Sequence, residues 1–149
     1  MSSPKIEIVN PPALAEPLGY SNGISAVGGK FLFIAGQIGW NREKRFVSDD
    51  FADQFALALE NVVAVVREAG GEPSHLVRML IFVTDKKEYL SQVKAIGVAY
   101  RQIMGKHYPA MSLVEVNGLV EDLAKVEIEA IAMIPEQVEN PVIPESEKK

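Results

Sequence analysis

From Phe51 to Ala69 the residues Phe51, Phe55, Leu59, Val62 and Val66 recur at the spacing of one helix face, and Gly70-Gly71 follows directly. A helix patterned this way has an apolar stripe that must be buried against something else. Ser48-Asp49-Asp50 offers N-cap oxygens before it, and the paired glycines supply the stop. The period then changes, because Leu76 to Val83 is apolar and β-branched apart from Arg78, as in a strand buried on at least one face. A helix giving way so soon to a buried strand commits the chain to helices packed on a sheet.

The remaining segments extend this α+β reading. Lys5 to Val9 is a short extended piece in a proline-rich lead-in that covers Asn10-Pro11-Pro12 and Pro17, with organised structure expected from about Tyr20. Ile24 to Val27, Gly28-Gly29 and Lys30 to Ala35 spell a β-hairpin closed by two glycines. Asp85 and Glu88 resemble a capping box opening a second helix over Lys86 to Met104, with Gly105 after it and Gly97 within it for close packing on the sheet. Strands at Ser112 to Val116 and Lys125 to Met133 flank a loop at Asn117-Gly118, and the tail from Pro135 reads as loosely held. This order suggests two ββαβ-like halves sharing one sheet, with both helices on one face. The other face would need a cover, and identical subunits are the natural one, so a homo-oligomer is expected.

Composition narrows the chemistry. The chain has 149 residues, 48% of them hydrophobic, which fits one domain over 1–149 with a core at about 18–134, a lead-in at 1–17 and a tail at 135–149. No apolar run is long enough to span a bilayer, and no signal peptide follows Met1, so a cytoplasmic protein away from membranes is expected. There is no cysteine, and His75 and His107 stand alone, which argues against a metal site and against cysteine or serine triad chemistry. A net charge of −5 without a basic stripe argues against nucleic acid. Gly28-Gly29 and Gly70-Gly71 lack the rest of a Rossmann or P-loop fingerprint, so no cofactor is expected.

A series of short motifs carries a more specific reading. Gly19-Tyr20, Ile34-Ala35-Gly36-Gln37-Ile38, Asn61-Val62 and Glu68-Ala69-Gly70 occupy the first half. Phe82-Val83-Thr84-Asp85, Tyr108-Pro109-Ala110, Val114-Glu115-Val116 and Val126-Glu127-Ile128-Glu129-Ala130-Ile131-Ala132 occupy the second. In order and spacing, from about Leu18 to Met133, they resemble the reactive intermediate deaminase family, also called RidA or YjgF. The resemblance implies a chorismate-mutase-like α+β fold, a mixed sheet with two helices on one face, and a homotrimer with clefts between subunits. It also implies cofactor-free hydrolysis of small reactive enamines or imines, such as 2-aminoacrylate, to a 2-keto acid and ammonia.

The family's water-positioning glutamate matches Glu127 and its cleft tyrosine matches Tyr20. The substrate-binding segments fall on Ala35, Gly36 and Gln37 and on Ala110, Met111, Ser112 and Leu113, with backbone NH groups near Ala110 to Ser112 available to a substrate. Four family contacts change. The usual Pro-Ala-Arg-Ser reads Pro109-Ala110-Met111-Ser112, so Met111 stands at the position of the carboxylate-gripping arginine. Leu113 replaces a frequent cysteine, Ala35 replaces a serine, and the asparagine of the second helix falls at Gly97. Losing an arginine fork weakens a 2-imino acid by roughly two to four powers of ten. That loss keeps a second reading open, a small-molecule-binding or regulatory trimer without catalysis. A ribonuclease or translation-inhibitor reading follows older family labels, and the acidic balance opposes it.

The same residues have plainer readings. Glu127 and Glu129 lie two apart on a strand and share a face, which suits acid/base work but also suits an exposed strand or a salt bridge to Lys125 or Arg78. Tyr20 packs beside a glycine-rich turn as readily as it binds a substrate. Met111 fits an apolar pocket or a packed interface. Lys106 or His107 could stand in for the lost cation, although Lys106 is better read as a solvated charge past a helix end. Trp40 and Asn41 are better read as surface packing than as a cleft rim.

Overall fold

A computed structural model describes residues 3–137. The expected tail from Pro135 therefore lies almost wholly outside the described residues. Strands β1 (Lys5–Val9) and β2 (Gly23–Val27) form an antiparallel two-stranded sheet in the register Lys5↔Val27 to Val9↔Gly23. A second, mixed sheet holds β3 (Lys30–Ile38), β4 (Leu76–Val83), β5 (Ala110–Glu115) and β6 (Val126–Ile134) in the order β3-β6-β4-β5. β4 and β5 run parallel, and β6 is antiparallel to both β3 and β4.

Three sequence expectations fail here. The β2–β3 hairpin does not form, because β2 pairs with β1 while β3 pairs with β6. Gly28 does turn the chain, at φ 85°, but Gly29 serves a long-range contact: a Cβ there would stand 2.3 Å from the Ile134 carbonyl oxygen. The pattern of two halves in one sheet fails with it, since β2 leaves the sheet that β3 joins. Organised structure also begins at Lys5 rather than near Tyr20, because β1 finds its partner in β2.

Helix α1 (Phe51–Glu68) starts where Asp50 accepts from the Asp53 amide at 3.2 Å, and ends at Gly70 with φ 91°. The expected second helix is broken at Gln92 into α2 (Lys86–Ser91) and α3 (Val93–Met104). The reason is a side chain with another task. Gln92 Oε1 accepts from the Ala52 amide and Nε2 donates to Asp50 Oδ1, both at 3.1 Å, so Gln92 helps to cap α1. Asp85 caps α2 as expected, but Glu88 turns to Lys125 Nζ at 2.7 Å instead of closing a capping box.

Both long helices, α1 and α3, cover the same face of the four-stranded sheet. Phe51, Leu59, Val62 and Val66 of α1, with Ile96 and Tyr100 of α3, pack on Met79, Ile81, Ile128 and Ala132. The opposite face carries Phe31, Phe33, Ala35, Ser112 and Glu129 in the open. Among the described residues no helix is long and apolar enough to cross a membrane.

Candidate active site

Glu127 is placed by the start of β6. Its register partners are Ile38 of β3 and Phe82 of β4. The entry to β6 is held by Gln54, only 1% exposed, whose amide donates to the Ser48 and Leu123 carbonyls at 3.1 and 3.0 Å and accepts from the Lys125 amide at 2.9 Å. Asn61 fixes the end of β3 by donating to the carbonyls of Ile38 at 3.0 Å and Trp40 at 3.1 Å. Between these anchors β3 shifts register between Ile34 and Gln37. The Glu127 side chain lies against the irregularity, and a Cβ at Gly36 would stand 2.7 Å from its Cδ.

The carboxylate is half-buried, and among the described residues it has no hydrogen-bond or ion-pair partner. Gln37 does not serve it, because its amide donates to the Ala35 carbonyl at 3.1 Å. Glu129 sits on the same open face with Phe33, Ala35, Arg78, Leu80 and Ile131 around a depression of about 420 Å³. Neither glutamate forms the salt bridge to Lys125 or Arg78 that the sequence allowed. Lys125 is committed to Glu88, and that hydrogen bond raises the Lys125 pKa above its ordinary value.

Tyr20, Met111 and Leu113 meet elsewhere, in a cavity of about 490 Å³ between α3 and β5. Met111 pairs with Met79 and Leu113 with Ile81, so both side chains share the helix-covered face. Glu127 pairs with Phe82 and faces the other way. The sheet thus separates the expected site residues within one chain: Glu127 with Gly36 against it on one side, and Tyr20, Met111 and Leu113 on the other. Ala110 and Ser112 alternate with Met111 along β5 and are directed away from that cavity.

Tyr20 reaches the cavity because its neighbour Ser21 is bound twice. The Ser21 amide donates to the Pro109 carbonyl at 3.1 Å and its hydroxyl to the Tyr108 carbonyl at 2.5 Å. One wall is a stacked pair, Tyr100 and Tyr108, with ring centroids 5.1 Å apart. Tyr100 donates to the His107 carbonyl at 2.6 Å, and burial first, with Tyr108 second, holds its phenol well above the ordinary tyrosine range.

Lys106 and His107, just past the end of α3, do not take the place of a cleft arginine. His107 Nε2 donates to the Leu76 carbonyl at 2.6 Å, and Lys106 is exposed and does not line the cavity. Gly97 is not a packing site against the sheet either, since the nearest atom to an added Cβ is Arg101 Nη1 at 3.3 Å. Gly97 and Arg101 both line the cavity, and Arg101 is a group that sequence reasoning missed. Its place one turn after Gly97 was the available signal. Trp40 packs on Phe46 with centroids 6.0 Å apart, and Asn41 Oδ1 accepts from the Glu43 and Arg45 amides, so both have structural tasks. Among the described residues no three His, Asp or Glu side chains cluster as metal ligands would.

Known proteins share this architecture. Residues 11–134 match the family described as Endoribonuclease L-PSP. The chain is 34% identical over 134 residues to the 2-iminobutanoate/2-iminopropanoate deaminase of Escherichia coli, covering 88% of this chain and 98% of that one. The Rid-family protein YyfB of Yersinia pestis superposes with a TM-score of 0.78 at 28% identity, over 87% of this chain and 98% of that one. E. coli TdcF, solved with bound serine, superposes with a TM-score of 0.60 at 34% identity, over 85% and 98% of the two chains. The α+β sheet with its helices on one face is the YjgF, chorismate-mutase-like fold, and with the match over 11–134 it follows that this chain belongs to the RidA/YjgF family, described as Endoribonuclease L-PSP.

Proposed function

We propose that this chain is a cofactor-free deaminase of small reactive enamines or imines, working in clefts between the subunits of a homotrimer. The observation that carries the reading is the carboxylate of Glu127, uncommitted among the described residues and seated against Gly36 at the edge of an open sheet face. A half-buried carboxylate without a partner is available to take a proton. The E. coli relative, whose name is 2-iminobutanoate/2-iminopropanoate deaminase, supports the same chemistry.

The reaction consumes one water. As the water oxygen attacks the imine carbon, Glu127 accepts a proton from the water and passes it to the substrate nitrogen, which gives a neutral carbinolamine. In the collapse Glu127 takes the carbinolamine hydroxyl proton and gives it to the amine, the C–N bond breaks as the C=O bond forms, ammonia leaves, and the carboxylate is restored. Glu127 of one subunit would face the Tyr20, Met111 and Leu113 cavity of the next, which reunites the two sets of residues that the sheet separates. Backbone amides near Ala110 to Ser112 and the Ala35, Gly36 and Gln37 segment would line the meeting point.

The test is ammonia release from freshly generated 2-imino acids. Glu127→Gln removes the base with little change of shape and should lower the rate by about 10²- to 10⁴-fold. An unchanged rate would remove Glu127 from the mechanism. The apolar character of Met111 and Leu113 favours a second reading, a trimer that binds a metabolite without turning it over. Saturable binding with no ammonia release from any imine would decide for that reading. The net charge of −5 continues to weigh against a ribonuclease.

A further inference from the structure

Among the described residues that line the cavity between α3 and β5, one side chain is formally charged, Arg101. Among the described residues its guanidinium takes part in no ion pair. It lies one turn back towards the N-terminus, over Gly97, where the absence of a side chain leaves it room. A bland role for an arginine in the last turn is to serve the C-terminal carbonyls and the helix dipole. The observed direction is the opposite one. Beneath Arg101 the cavity is apolar and aromatic, with Phe55, Ile81, Ile96, Met111 and Leu113 below and the Tyr100–Tyr108 stack at the side.

We infer that Arg101 is the carboxylate-binding group of this cleft, and that the cavity below it selects imino acids and their 2-oxo-acid products with a bulky apolar or aromatic side chain. Arginine is suited to the task because its planar fork meets both carboxylate oxygens. An apolar side chain entering below it would displace water from Met111 and Leu113, where a three-carbon acid would leave the floor wet. At about 490 Å³ the cavity has the size of an ordinary small-molecule site. The inference rests on the proposed deaminase for its reaction, but binding can be read without turnover.

The experiment is calorimetric titration of the full chain with phenylpyruvate, pyruvate and phenylacetone, the last replacing the carboxylate by a methyl group. Phenylpyruvate should bind about tenfold or more tighter than either of the others. Arg101→Gln should weaken phenylpyruvate by about 10- to 100-fold while leaving phenylacetone unchanged. Arg101→Lys should fall between, and Lys106→Gln should bind as the parent does. Gly97→Ala, which crowds Nη1 without touching its charge, should weaken phenylpyruvate several-fold in a chain that folds normally by circular dichroism. Equal affinity in Arg101→Gln and the parent would overturn the inference, as would pyruvate or phenylacetone binding as tightly as phenylpyruvate, or no binding of phenylpyruvate. Carboxylate-dependent binding without any imine hydrolysis would sink the deaminase reading alone. Hydrolysis that persists without dependence on Arg101 would sink this one alone.

Discussion

At the scale of single residues, the informative groups are those whose polar atoms are unusually placed. Among the described residues Glu127 is uncommitted where most half-buried carboxylates have partners, and the exposed Arg101 is in no ion pair beside an apolar floor. Tyr100 is the reverse case, a phenol fully engaged. Its burial, aided by Tyr108, raises its pKa in the folded state. A raised folded value means a contribution to stability that is complete below the unfolded value of about 10 and is lost as pH rises through the folded one. Urea unfolding measured from pH 8 to 11 should therefore show stability constant up to about pH 10 and falling above it. In Tyr100→Phe that part of the fall should disappear, with a loss of about 1 kcal/mol at neutral pH from the unmade bond to His107. A parent and a variant with the same slope above pH 10 would show that Tyr100 ionises freely in the folded chain.

At the scale of elements, the first helix and the strand after it were legible in the sequence almost to the residue, because each buries a stripe with its own period. The second helix was misread for a physical reason. The apolar period runs straight through Gln92, and nothing local reveals that its amide is needed 40 residues away on α1. Gln54 was hidden in the same way, since a lone glutamine on a helix ordinarily faces solvent. Two of its three bonds, to Leu123 and Lys125, tie α1 to the loop before β6 and so set where the strand that carries Glu127 begins. Gln54→Ala would leave the Lys125 amide and the Ser48 and Leu123 carbonyls to find other partners, at a cost of roughly 2–4 kcal/mol. Chemical unfolding should report that loss. Imine hydrolysis measured well below the melting temperature should fall as well, because the start of β6 loses its anchor. A variant as stable as the parent would mean that the loop is held by something other than Gln54.

At the scale of the whole molecule, pairing between distant segments defeated local reasoning. Two glycines between two apolar runs predict a hairpin, yet β2 went to β1 and β3 to β6, a choice set by the core that β3 shares with β6 rather than by the turn. The candidate site was half legible for a related reason: motif positions nominated Glu127 and Tyr20, but only the sheet reveals that they face apart. The open face raises the matching question of what covers it. Phe31 is 62% exposed and Phe33 74%, their rings 6.2 Å apart, on a face that also carries Leu80 and Ile131. Water against that much clustered apolar surface is unfavourable by about 25 cal/mol for each Å². If identical subunits bury it, as proposed, a charge placed there must break the assembly, and the catalytic cleft with it. Phe33→Glu should convert a trimer into a folded monomer in sedimentation equilibrium, with its far-UV circular dichroism retained. Imine hydrolysis should vanish in the same variant, because Glu127 would no longer meet the Tyr20 and Met111 cavity of a neighbour. A monomer that hydrolyses imines at the parent rate would place the whole reaction within one chain, and would require Glu127 to act on the open face alone.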